Sequence, residues 1–245
     1  MNVAILGATK GIGRALARQM AARGDTVFLL GRDVEDLERS ARDLELRAGK
    51  RPSIHVAVCD LAAPETFAPA LDAAVKALTT IDAVIVTAGD FATQDVLEAD
   101  RDRARTLLTI NFTNTVVFCE EARTRVLGRG GTLCVFSSVA GDRGRKPVIL
   151  YGAAKAGLSY YLEGLDHKFR SQGLRVVCVK PGFVKTSMTT GLTPPPFAGE
   201  PDGVAADVVR AIDRGQPVVY TPRIWQLVML VIRNLPRAVM RRIGF

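Results

Sequence analysis

The chain has 245 residues, 48% of them hydrophobic and 24% charged. That length commonly makes one α/β domain with a large core, and the composition excludes extensive disorder. Its net charge is +8, and residues 214–245 hold six arginines and no acid. A basic tail with interleaved apolar residues points to an anionic surface or ligand more than to nucleic acid.

The chain opens on Met1-Asn2-Val3-Ala4-Ile5-Leu6, which has no basic n-region, long apolar core or cleavage motif. It reads as a first buried strand and not as a signal peptide, so a cytoplasmic site is expected. Further short apolar runs follow at 26–30, 54–58, 83–86, 132–136, 175–179 and 218–220. Between the runs lie amphipathic stretches at 13–23, 34–48, 64–78, 101–127, 151–172 and 203–214. This alternation predicts βαβ units, hence a single α/β domain over 1–245. The expected fold is a Rossmann-type, doubly wound parallel sheet of about seven strands with helices on both faces. The four cysteines and two histidines form no ligand cluster, so buried reduced thiols and no metal site are expected. Segment 191–201, with four prolines and two glycines, is the one long irregular stretch, and a substrate lid is expected over 187–203.

In such sheets ligands bind outside the carboxyl ends of the strands, and every chemically promising feature falls there. Gly7-Ala8-Thr9-Lys10-Gly11-Ile12-Gly13 follows the first strand and opens a helix. Gly7 permits the tight turn, while Gly11 and Gly13 let backbone approach a pyrophosphate at the helix N-terminus. Gly31-Arg32 ends the second run, where an NAD-preferring site would place an acid. Arg32 with Lys10 suits a 2′-phosphate, so NADP(H) is the expected cofactor, although Asp33 stands ready to neutralise Arg32. Asp60 reads either as an adenine contact or as a helix cap. Ser137 and Ser138 follow the fifth run, and strand alternation points their side chains oppositely, which favours Ser138 as the reactive one.

Thirteen residues beyond Ser138 lies Tyr151, and Lys155 is four residues further on the same helical face. This spacing predicts that the Lys155 ammonium lies beside the Tyr151 phenol and lowers its pKa from about 10. A phenol tuned in that way serves as an acid or base at a carbonyl oxygen near neutral pH.

Taken together, the Gly7–Gly13 turn, Asp60-Leu61, Ala88-Gly89, Asn111, Ser138, Tyr151, Lys155, Pro181-Gly182 and Thr186 resemble the short-chain dehydrogenase/reductase family over nearly the whole chain. The resemblance implies a tetrad in which Tyr151 is the acid in reduction and Ser138 bonds the substrate carbonyl. Lys155 would also bond the nicotinamide ribose, and Asn111 would hold a water that links Lys155 to solvent. It implies cofactor contacts from Gly7, Thr9, Lys10, Gly11, Ile12, Gly13, Arg32, Asp60, Leu61, Thr87, Ala88, Gly89, Pro181, Gly182, Val184 and Thr186, besides Tyr151 and Lys155. It also implies a homodimer or homotetramer. One departure is Thr87-Ala88-Gly89 where the family often carries Asn-Asn-Ala-Gly. Among subgroups, the chain resembles polyprenyl-phosphoryl-2-keto-pentose reductases through residues 139–146, 181–188 and the C-terminal pattern. That likeness implies a lipid-phosphate-linked 2-keto sugar as substrate. An acyl, steroid or secondary-metabolite ketone, and a cofactor-binding regulatory module without turnover, stay open beside it.

The C-terminal segment 222–245 places Arg233, Arg237 and Arg241 at four-residue spacing against Leu235, Val239 and Ile243. Its apolar part is far short of the ~20 residues a membrane span needs. One cationic helical face that makes peripheral membrane contact is one reading, and a core-packed helix or subunit contact is the other.

Overall fold

A computed structural model describes residues 1–48 and 54–243 of the chain. Seven strands form one parallel sheet: β1 (Asn2–Leu6), β2 (Thr26–Gly31), β3 (His55–Val58), β4 (Ala83–Val86), β5 (Thr132–Phe136), β6 (Arg175–Pro181) and β7 (Val218–Thr221). Their order is β3-β2-β1-β4-β5-β6-β7, so the chain reverses its winding between β1 and β4. That reversal opens the crevice in which doubly wound sheets bind ligands.

Helices α1 (Gly11–Ala22), α2 (Val34–Ala48) and α8 (Pro201–Arg214) cover one face. Helices α3 (Phe67–Leu78), α6 (Asn114–Val126) and α7 (Ile149–Phe169) cover the other. The sheet side chains sort by strand period: Val3 and Ile5 enter the first core, Ala4 and Leu6 the second. Because both faces are covered, the central strands read as continuous apolar runs. The four cysteines are buried and free.

Several boundaries differ from the sequence expectation. The stretch 101–127 is not one helix but α5 (Arg101–Leu108), a π-helical turn over Thr109–Thr113, and α6. Side chains reach into the helical ladder there. Asn111 Nδ2 donates to the Leu107 carbonyl, and the Thr115 hydroxyl donates to the Ile110 carbonyl. A further short helix, α4 (Gln94–Ala99), precedes α5, and Asp100 separates them by accepting from the Asp102 and Arg103 amides. A 3₁₀ turn over Pro64–Thr66 precedes α3, α7 begins two residues before Tyr151, and α8 begins at Pro201.

The C-terminal segment is two helices, α9 (Ile224–Asn234) and α10 (Arg237–Arg242), parted at Leu235-Pro236. Pro236 cannot supply an amide to continue α9, so the arginines at four-residue spacing do not share one helix. The last two residues of segment 222–245 lie outside the described residues. No described helix is long and apolar enough to cross a membrane.

Candidate active site

The glycine turn is built by close approach. Gly7 has φ +95°, and a side chain there would come within 2.6 Å of the Ala88 amide nitrogen and the Thr87 hydroxyl. A side chain at Gly13 would collide with the Gly7 carbonyl, which fixes how tightly α1 leaves the sheet. Gly11, at φ +51°, faces Thr186, whose Cγ2 would lie 3.2 Å from a Cβ there. The turn after β1 therefore meets the segment after β6 across the crevice. Thr87 donates to the Leu6 and Gly7 carbonyls at 3.1 and 3.0 Å. At this departure from the family pattern, the side chain clasps the glycine turn. Lys10, the N-cap of α1, makes no capping side-chain bond, and no acid stands in the first turn. The amides and positive dipole end of α1 therefore face the crevice uncompensated.

Around the end of β2, Lys10 pairs with Asp36 at 3.0 Å. The Lys10 ammonium holds the Asp36 carboxyl below its usual range. Asp33 caps α2 by accepting from the Asp36 amide, and Arg32 is exposed without an ion pair among the described residues. Arg14, which the sequence reading passed over, also acts on Asp36 and has its Nε buried without a partner. Its position one residue after Gly13 was the available signal. On the other side, Asp60 Oδ1 accepts from the Ala62 amide at 2.9 Å, which makes it a turn cap. The Leu61 carbonyl is held by Asn114 Nδ2 at 2.6 Å.

Ser137 and Ser138 divide as strand alternation requires. The Ser137 hydroxyl bonds the Lys155 carbonyl and the Ser159 hydroxyl, and so pins α7 to β5. The Ser138 hydroxyl accepts from the Ala140 amide and lies near enough to the Tyr151 phenol to lower its pKa. The Phe91 ring packs edge-on against Tyr151, with centroids 5.2 Å apart. Gly152 packs against the Ala140 carbonyl so closely that a Cβ would stand 2.8 Å away, which sets the depth of Tyr151.

Lys155 is buried on the same face of α7, and its Nζ donates to the Phe136 carbonyl at 2.9 Å. That Nζ lies 5.8 Å from the Tyr151 ring centroid. The expected lowering of the phenol pKa by Lys155 is not found. Burial pushes Tyr151 up to about 12 against the opposing Ser138 hydrogen bond, and burial brings Lys155 down to about 8. Desolvation is the largest cause at both groups, and neither figures among the causes of the other's shift.

Asn111 is fully buried in the π-helical turn. It accepts from the Asp90 amide at 3.1 Å and donates to the Asp90 carbonyl at 2.7 Å. A side chain at Gly89 would stand 2.9 Å from Asn111 Oδ1 and 3.7 Å from Lys155 Nζ, so the two polar groups flank this glycine. Asp90 is fixed in turn by an ion pair with Arg103 of α5.

A roof closes the β6–β7 end. Trp225 of α9 lies over Gly182, where any side chain would overlap the indole. The indole N–H donates to the Phe197 carbonyl in segment 191–201 at 3.1 Å. Val184 is buried, bridges to Gly199, and precedes a turn in which Thr186 and Thr189 exchange capping bonds. Asp142 accepts from Lys180 at 2.6 Å and from the Tyr220 hydroxyl at 2.7 Å. Burial pulls Lys180 down, but the bond and charge of Asp142 outweigh it and raise its pKa. Arg143 donates to the Leu235 carbonyl and Lys146 to the Arg241 carbonyl, fastening α9 and α10 to the body. Arg145, in the same connection, has its Nε buried without a partner, and burial lowers its pKa against the pull of Asp142.

With this geometry in place, the comparisons decide the family. The short-chain dehydrogenase model matches residues 1–196. The chain belongs to the short-chain dehydrogenase family. It is an oxidoreductase of that family, in which the sheet crevice serves a nicotinamide cofactor. The chain is 34% identical to an uncharacterized oxidoreductase of Mycobacterium tuberculosis, over 98% of this chain and 96% of that one. It is 29% identical to carbonyl reductase family member 4 of Danio rerio, over 77% of each chain. A variant of actinorhodin polyketide ketoreductase solved with NADPH shares the fold at a TM-score of 0.78 and 22% identity, covering 90% of this chain and 95% of that one.

Proposed function

We propose that this short-chain dehydrogenase is an NADPH-dependent reductase of a ketone. The observation that carries the reading is the convergence of Tyr151, Ser138, Lys155 and Asn111 beside a glycine turn whose helix amides are free. The crevice fits a dinucleotide. Gly7 and Gly13 leave no room for side chains, α1 presents uncompensated N–H groups, and the end of β2 carries Arg32 and Arg14 beside Lys10, which pairs with Asp36. When bound, NADPH supplies the hydride.

Ser138 holds the substrate carbonyl oxygen next to the Tyr151 phenol, so charge developing on that oxygen meets two hydroxyl donors. Tyr151, neutral at physiological pH, then donates its proton to the oxygen. Lys155, near its own titration point, returns a proton to the phenol, and Asn111 positions the route to solvent. Thr186 would hold the nicotinamide end, and Gly11, which faces it across the crevice, would leave room for the pyrophosphate. Phe91 and the roof formed by Trp225 and segment 191–201 keep water from the reacting carbon.

For the substrate, a lipid-phosphate-linked 2-keto sugar is supported by Arg145, whose unpartnered Nε in the Ser138–Tyr151 connection suits a phosphate oxygen. The homo-oligomeric reading is supported by Phe112, Val117 and Tyr160, apolar side chains exposed on the helical layer that carries Asn111 and Tyr151. NADPH oxidation is the direct test, run with a lipid-linked 2-keto sugar beside soluble acyl and steroid ketones. Turnover of the sugar that Arg145→Gln weakens supports the substrate class. Turnover of the soluble ketones alone replaces it with an acyl or steroid ketone. Absence of NADPH oxidation with every carbonyl overturns the reductase reading.

A further inference from the structure

The buried side of α9 is accounted for by the roof: Trp225, Met229 and Ile232 pack with Val139, Phe183 and Tyr220. Its other side is not. Leu227, Leu230 and Val231 are 62%, 59% and 62% exposed, and Ile224 extends the stripe by another turn. Spacings of three and four residues put these side chains on one helical face. Large aliphatic side chains that cluster on an outer helix mark an interaction surface, whereas single scattered ones do not.

The charges around the stripe are of one sign. Arg223 precedes it, Arg233 stands in the last turn of α9, and Arg237, Arg241 and Arg242 follow on α10; all five are exposed. Among the described residues none of the five forms an ion pair, and residues 214–245 contain no acid. A globular partner would need an apolar groove rimmed by acids to match this surface. A bilayer with anionic headgroups matches it without further specification: acyl chains take the aliphatic stripe, and phosphates take the guanidinium groups that flank it in sequence.

We infer that α9 and α10 dock this protein on the surface of an anionic phospholipid bilayer, with Leu227, Leu230 and Val231 immersed and the flanking arginines at the headgroups. The docking is peripheral, since no described helix is long enough to span. Arg143 and Lys146, bonded to the Leu235 and Arg241 carbonyls, tie the two helices to the domain. Trp225, on the underside of the same helix, carries segment 191–201, which places the roof of the crevice next to the lipid. This inference rests on the surface of the C-terminal helices and is independent of the reductase reading.

The test is flotation of the full-length protein with vesicles of phosphatidylcholine alone and of phosphatidylcholine with phosphatidylglycerol, at low and high salt. The wild type floats with the anionic vesicles, stays behind with the neutral ones, and loses binding as salt rises. Arg237→Ala with Arg241→Ala lowers the partition about 25-fold, at roughly fivefold per arginine near the surface. Leu227→Asp with Leu230→Asp lowers it roughly a hundredfold or more, because two leucines no longer leave water. Both pairs are solvent-exposed, so circular dichroism and the melting temperature stay as in the wild type. Wild-type protein that ignores phosphatidylglycerol vesicles overturns the inference, as does a Leu227→Asp/Leu230→Asp variant that floats undiminished. Sedimentation velocity in which that variant falls from an oligomer to a smaller species also overturns it, since the stripe would then be a contact between copies.

Discussion

Replacing Lys155 with methionine should make the protein more stable while it destroys turnover, and the gain should disappear at high pH. Lys155 is almost wholly buried, and burial lowers its pKa from 10.5 to about 8. The folded chain therefore disfavours the ammonium by about 3 kcal/mol. Between these two values the unfolded chain binds more protons than the folded one, so stability rises with pH across that window. Below pH 8 the whole penalty is present, and above 10.5 nearly all of it has gone. Methionine fills similar space without charge but gives up the bond to the Phe136 carbonyl, a loss of about 1 kcal/mol. The net gain at pH 7 is about 2 kcal/mol, or roughly 4–8 °C in Tm for a chain of this length. Equilibrium urea unfolding of the cofactor-free protein at pH 7 and pH 10.5 measures both terms. A variant less stable than wild type at pH 7, or a difference that does not change with pH, would refute the idea that desolvation dominates at Lys155.

The other predictions concern the reaction and its cofactor. Tyr151→Phe should lower kcat by about 10²-fold to 10⁴-fold, the span general acid catalysis supplies, with NADPH affinity unchanged by fluorescence titration. Retained turnover would remove Tyr151 as the acid. In the reduction direction kcat should be flat below pH 8 and fall above it as the Lys155 ammonium is lost; a profile flat to pH 10 contradicts proton return through Lys155. Arg32→Asp should weaken NADPH roughly tenfold or more and spare NADH, whereas Asp36→Asn, by releasing Lys10, should tighten NADPH several-fold. An unchanged cofactor ratio in both variants would place the 2′-phosphate elsewhere. Trp225 is the only tryptophan, so its emission reports the roof directly. Gly182→Ala should shift that emission and lower stability by about 1–3 kcal/mol through overpacking against the indole, which thermal melting checks.

The sheet was legible because its rule is short-range and repeated. Runs such as 83–86 and 132–136 are buried on both faces, so each announces itself by apolar content alone. The glycine turn was legible for a related reason: Gly7 and Gly13 touch backbone, which leaves a residue-type imprint. What stayed hidden depends on contacts between distant segments. The break of 101–127 comes from Asn111 and Thr115 reaching back to carbonyls, and neither residue is a helix breaker by type. The basic stretch 139–146 carried part of the subgroup resemblance. Three of its residues turn out to be structural, because Asp142, Arg143 and Lys146 meet groups 38 to 95 residues away in sequence. The relation between Tyr151 and Lys155 was readable as spacing but not as electrostatics. A pKa follows from the depth of burial, and depth is set by Phe91, Ala140 and the sheet edge, none of them adjacent to the pair.

That difference changes which half of the chemistry the site is prepared for. A phenol lowered by a neighbouring ammonium would serve equally as acid or base near neutrality. A phenol held at about 12 is almost wholly protonated at pH 7, with roughly one molecule in 10⁵ as phenolate. Such a group is present almost wholly as the acid, a weaker one than a free phenol, and it still yields its proton to an alkoxide, whose proton affinity is higher. Lys155 at about 8 is matched differently: it gives up and regains a proton within the physiological range. On the reductase reading the two residues act in series. Tyr151 would deliver the proton to substrate in the proposed reduction, and Lys155, whose burial costs the fold about 3 kcal/mol, would carry its replacement.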